Sequence, residues 1–146
     1  MNNRPWLKSY DPEVPHSLAC ESRLIPSILE KSAREFPSRN AMIFFGLSVT
    51  YRELWEYVEQ FSLALIDTGV REKERVLLFL PNCPHFIIAY YAALRAGAIV
   101  VPANPLYSEK ELEFQIRDSG ADTLITLDVL FPQVKKVMSA VQLSGS

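Results

Sequence analysis

Three short apolar runs set the limits on what this chain folds into. Val76-Leu77-Leu78-Phe79-Leu80 is continuous and lacks the polar alternation of a strand with one wet face. A run of that length and composition reads as a strand covered on both sides. Ala98-Ile99-Val100-Val101 is a second buried strand, stopped by Pro102, and Thr123-Leu124-Ile125-Thr126 is a third. The runs start roughly two dozen residues apart, with helical spacing between them and short connections. This is the rhythm of βαβ units, so the expected class is α/β: a parallel sheet with flanking helices.

The remaining elements follow from local signals. Ile25, Ile28, Leu29, Ala33 and Phe36 predict a first helix from about Pro26, ended by Pro37. Ala41–Phe45 and Ser48–Thr50, with a turn near Gly46 and Leu47, predict an N-terminal β-hairpin. Thr50-Tyr51-Arg52-Glu53 and Ser108-Glu109-Lys110-Glu111 are capping boxes that open helices. The first of these helices carries Leu54, Val58, Phe61 and Leu65 on one stripe; the second carries Leu112, Gln115, Ile116 and Ser119. Between the first two strands, a helix over about 85–96 is apolar nearly all round and is expected to be buried. A last helix carries Phe131, Val134, Met138 and Val141. Residues 1–23, broken by Pro5, Pro12 and Pro15, read as an irregular lead-in, 24–142 as the folded part and 143–146 as a tail or truncation point.

Composition narrows the function classes. Fifteen Lys plus Arg against 17 Asp plus Glu give a net charge of -2, so no basic surplus points to nucleic acid. Cys20 and Cys83 are neither a disulfide framework nor a CxxC site, which makes a reducing cytoplasm the expected compartment. Met1–Tyr10 holds no signal-peptide core, and no apolar stretch reaches the ~18 residues that span a bilayer. Peripheral membrane contact stays open.

Candidate sites are sparse. A phosphate loop needs closely spaced glycines, whereas Gly46, Gly69, Gly97, Gly120 and Gly145 are far apart. Gly69, Gly97 and Gly120 are explained as helix exits. Asn82-Cys83-Pro84-His85 lies between a strand and a helix N-terminus, where open α/β sheets place ligands. A Cys83/His85 nucleophile is conceivable there, but without a third orienting group a helix-start role explains Cys83 better. His16 stands alone in the lead-in, and Asp118 and Asp122 suit a helix end and a loop. Tyr90, Tyr91 and Tyr107 either line a groove or belong to the core. No residue is assigned to catalysis, to cofactor binding or to a metal.

The stretch Val76–Thr126 contains Pro81-Asn82, Ala96-Gly97, Val100-Val101-Pro102 and Asn104-Pro105, in register with upstream Thr50-Tyr51-Arg52-Glu53-Leu54 and Phe36-Pro37. Together these resemble the N-terminal region of the AMP-forming, adenylate-forming enzymes. That superfamily includes acyl-CoA synthetases, luciferases and peptide-synthetase adenylation domains. Asn104-Pro105-Leu106-Tyr107, Glu111-Leu112 and Asp118-Ser119-Gly120-Ala121 are most similar to medium- and long-chain fatty acyl-CoA ligases. His85 departs from the family, where Glu is frequent.

The resemblance implies an incomplete N-terminal domain of the adenylate-forming fold and an enzyme that uses a fatty acid, ATP, Mg²⁺ and CoA. Its phosphate loop and lid lysine would come after Ser146. The chain alone is therefore expected to be inactive, to bind none of these tightly, and to self-associate, as a homo-oligomer or otherwise, through an unpaired sheet edge. The alternatives are a stand-alone interaction or regulatory module derived from this family, or part of an aryl- or amino-acid-adenylating ligase.

Overall fold

A computed structural model describes residues 4–18 and 22–143; Cys20 and Ser144–Ser146 lie outside them. The elements run α1 (Ile25–Glu35), β1 (Asn40–Phe44), β2 (Leu47–Thr50), α2 (Tyr51–Asp67), β3 (Arg75–Phe79), α3 (Pro84–Arg95), β4 (Ile99–Ala103), α4 (Glu109–Ser119), β5 (Thr123–Thr126) and α5 (Phe131–Leu143). β1 and β2 form the antiparallel hairpin, and β4, β3 and β5 form a parallel sheet in that order.

β3 holds the centre. Val76, Leu78 and Leu80 point into one apolar layer with α1, α2 and α3, where they meet Leu29, Leu54, Val58, Ala89 and Ala92. Leu77 and Phe79 point into the other, against Leu112 and Ile116 of α4 and Val134 and Val137 of α5. The chain leaves β3 through α3 to reach β4 on one side, then returns through α4 to β5 on the other. The sheet is thereby covered on both faces, as parallel sheets are.

Both capping boxes form. The Thr50 N–H and hydroxyl donate to Glu53 Oε2 at 2.8 and 2.7 Å, and the Glu53 N–H donates back to Thr50 Oγ1 at 3.3 Å. The Ser108/Glu111 pair repeats this at 2.8, 2.7 and 3.4 Å. The bonds hold both carboxyls below the usual glutamate range. For Glu53 the backbone bond from Thr50 contributes most, and for Glu111 the Ser108 hydroxyl does. α4 ends at Gly120, which takes the left-handed conformation at φ 62°. Gly97, at φ 82°, is also crowded: a Cβ there would lie 3.0 Å from Glu72 Cγ.

Three expectations need correction. α3 is not buried all round. Only its alanines, Ala89, Ala92 and Ala93, are buried, because the sheet and α2 cover one side and leave Ile87 exposed. β4 is an edge strand, half-buried over Val100 and Val101, with Ile99 exposed. It also continues through Pro102, which pairs with Leu78, since a proline without an N–H is tolerated at an edge. The lead-in is not wholly irregular: Pro5–Ser9 is a 3-10 helix, with proline in its first turn. On α1 only Leu29 and Ala33 are buried, because the helix packs on α2 and α3 and Ile25 and Ile28 lie outside that contact.

α2 and α3 are clamped by Arg95. Its guanidinium donates to Glu59 Oε1 at 3.1 Å and to the buried Ser62 hydroxyl at 3.4 Å, and it lies 5.6 Å above the Trp55 ring centroid. Among the described residues no helix is long and apolar enough to cross a membrane, and the outer edges of β4 and β5 have no strand partner.

The capping boxes give a signed pH dependence. A lowered folded-state pKa contributes stability that is complete above the unfolded glutamate value and is lost as pH falls through the folded one. Ser108→Ala should cost about 1 kcal/mol at neutral pH. It should also lose less on acidification than the unsubstituted chain, because Glu111 no longer has the hydroxyl. Thermal melts across an acidic pH series check this; parallel profiles for the two proteins would contradict it.

Candidate functional site

Parallel sheets place ligands beyond the carboxyl ends of their strands, where neighbouring connections diverge. Here that point is the end of β3 and β5, because α3 follows β3 onto one face and α5 follows β5 onto the other. The Thr126 hydroxyl donates to the Phe79 carbonyl at 3.0 Å and ties the two strand ends together. Beside them opens a cleft of about 440 Å³, bounded by Tyr57, Gln60 and Phe61 of α2, His85 and Ile88 of α3, and Ile125–Leu127. A second cleft, of about 480 Å³, shares Tyr57, His85 and Ile88 and runs under Phe44, Leu47 and Val49 of the hairpin. Both have apolar walls with few polar groups at the rim, a surface that takes up the apolar part of a molecule or a covering segment.

Sequence reasoning found His85 but not Tyr57, Gln60 or Thr126. The signal was present: Tyr57, Gln60 and Phe61 recur at i, i+3 and i+4, a second side of α2 next to the core stripe. Phe61 belongs to both and bridges them.

The structure does not bring Cys83 and His85 into a catalytic pair. Cys83 is the residue before α3, in extended backbone, and its side chain makes no capping bond. The Phe86 N–H donates to the Cys83 carbonyl at 3.0 Å, so the backbone starts the helix. The thiol borders a smaller cleft of about 260 Å³, with Met42, Ile43 and Phe86, which His85 does not line. Among the described residues no hydrogen bond joins the two side chains, and no third group orients either of them.

The other candidates are scattered. His16 is exposed and meets Tyr10 edge-on, with ring centroids 6.1 Å apart. Asp118 and Asp122 are both exposed. Tyr90 and Tyr91 pack edge-on at 5.6 Å, and Phe86 stacks on Tyr90 at 6.2 Å. Burial pushes the Tyr91 hydroxyl up, with smaller contributions from Tyr90 and Tyr51. Tyr107 packs in the opposite layer, so the three tyrosines line no common groove.

A triphosphate and its Mg²⁺ do not fit what the described residues offer. The positive-φ glycines, at 46, 69, 97 and 120, stand singly at separate turns, and Gly145 lies outside the described residues. Among the described residues no three His, Cys, Asp or Glu side chains gather where they would hold a metal. No reaction step is assigned to a residue of this chain.

Comparison with known proteins matches the architecture. A family model described as AMP-binding enzyme covers residues 29–145. The long-chain-fatty-acid–CoA ligase of Bacillus subtilis (strain 168) is 40% identical over 136 residues, which is 93% of this chain and 24% of that protein. The enzyme of the same name from Yersinia pestis is 36% identical over 94% of this chain and 25% of its own length. Among solved structures, a benzoate CoA ligase from Burkholderia xenovorans LB400 superposes with a TM-score of 0.76 at 27% identity, over 81% of this chain and 24% of that one. The N-terminal subdomain of Klebsiella oxytoca NpsA gives 0.71 at 29% identity, over 74% of this chain and 28% of that one. The chain thus spans about a quarter of the length of the curated relatives it matches. With nearly all of its folded part under the family model and a parallel sheet shared with these ligases, the chain belongs to the AMP-binding enzyme family.

Proposed function

We infer that this chain is the N-terminal scaffold of a fatty-acid–CoA ligase working in the cytoplasm. The observation that carries the reading is its 40% identity to a long-chain-fatty-acid–CoA ligase across 93% of its own length. In such a reaction a carboxylate oxygen attacks the α-phosphorus of ATP and pyrophosphate leaves, with Mg²⁺ offsetting the phosphate charge. The CoA sulfur then attacks the acyl carbonyl, and AMP leaves. The part taken by this chain is support. β3 and β5 end at an apolar cleft, and α2 and α3, clamped by Arg95, form its rigid wall. An aryl-activating ligase is the second reading, favoured by the superposition on the benzoate enzyme. The higher identity to the fatty-acid enzymes ranks it second.

The reading frame past Ser146 tests the ligase assignment. A continuing frame that encodes a Gly-rich phosphate loop supports it, and a stop codon after Ser146 favours a stand-alone module. Incubated with ATP, Mg²⁺, CoA and fatty or aryl acids, the 146-residue chain should release no pyrophosphate above background; turnover by clean material would overturn the scaffold role.

A scaffold role also makes Cys83 a passive thiol. Its alkylation rate should be the same in the parent and in His85→Ala. A rate that drops when His85 is removed would reveal a working pair.

A further inference from the structure

The β1–β2 hairpin ends in an unusual tip. Phe45 and Gly46 both have positive φ, 47° and 84°. A two-residue turn of this kind normally places Asn, Asp or Gly at its first position. Phe45 holds that position at a cost in backbone strain. Its ring meets Phe44 edge-on at 4.5 Å and is still 92% exposed. A strained, exposed phenyl ring adds little to the fold, so its use lies outside it.

The neighbours of Phe45 indicate what kind of surface it meets. Ile43 is 68% exposed and Leu47 74%. Ile43 pairs with Ser48 while Phe44 pairs with Leu47, so Ile43 and Leu47 project from opposite faces of the hairpin. The tip is apolar on both faces and at its end. Leu47 borders the cleft under the hairpin and Ile43 the cleft beside Cys83, yet both stay largely exposed, and immersion in an acyl layer would cover them together with Phe45. No charged residue occurs from Asn40 through Tyr51, and Arg39 and Arg52 bracket the segment. Both are exposed, and the two strand ends are joined by the Tyr51 N–H donating to the Arg39 carbonyl at 3.0 Å. The nearest acid in sequence, Glu53, is turned back into its capping box. An uncharged apolar tip with two arginines at its base complements an anionic lipid surface. Ile43 to Phe45 spans roughly 7 Å of extended chain, within the 5–10 Å depth of interfacially bound segments.

We propose that the tip formed by Ile43, Phe45 and Leu47 inserts into an anionic phospholipid surface, with Arg39 and Arg52 at headgroup level. The inference is independent of which acid the family reaction uses.

Flotation of the full chain with vesicles tests it and is not confounded by self-association. The chain should float with phosphatidylcholine mixed with phosphatidylglycerol and much less with phosphatidylcholine alone. Phe45→Asn suits the left-handed turn, so its melting temperature should hold or rise while vesicle affinity falls roughly tenfold. Phe45→Trp should add fluorescence that acyl-brominated lipids quench. The proposal is overturned if Phe45→Asn floats as well as the parent, if both vesicle types bind equally, if Phe45→Trp adds no quenchable emission, or if Phe45→Asn dissolves a dimer and leaves vesicle binding intact.

Discussion

The packing of β3 between two apolar layers fixes the position of most of the other elements. Val76, Leu77, Leu78 and Phe79 are fully buried, and alternate residues face opposite sides. A strand with no wet face requires helices on both sides. α2 and α3 cover the even-numbered side chains, and α4 and α5 the odd-numbered ones. The parallel partners β4 and β5 then fall on either side of β3, because α3 and α4 carry the chain over opposite faces. The cleft beside Thr126 and His85 follows from the same constraint, since it opens where the connections after β3 and β5 part.

What was legible in the sequence was local. The capping boxes at Thr50 and Ser108 depend on residues three apart, and both form as spaced. The continuous run Val76–Leu80 marks the buried strand by its apolar character alone. The failures around the sheet depend on which elements lie beside which. Ile99–Val101 is nearly as apolar as β3, yet strand order leaves it at an edge, where Pro102 does no harm. α3 is apolar all round in sequence, but only its alanine side meets the sheet and α2 closely. Tyr107 was grouped with Tyr90 and Tyr91 by residue type, while the sheet separates them. The cleft was missed because it gathers residues from α2, α3 and β5, and no local pattern links those segments.

Polar side chains are few in the interior and apolar surface is plentiful at the rim. The described residues show no nucleophile with a base, no cluster of acids and no glycine-lined phosphate cradle. Among the described residues the one buried polar side chain, Ser62, accepts from Arg95 and helps fasten α2 to α3. Apolar surface is instead left open at the cleft walls, along Ile87 of α3 and at the hairpin tip.

The claim that β3 couples both layers is tested most directly by amide hydrogen exchange in Leu78→Ala. Leu78 faces only the α2/α3 layer, and its truncation should cost about 2–5 kcal/mol. If β3 joins the layers into one cooperative unit, the slowest amides, in Leu77–Phe79, lose protection together with those of α2, α3, α4 and α5. Loss confined to α2 and α3, with α4 and α5 protected as before, would show two independently stable layers and contradict the account.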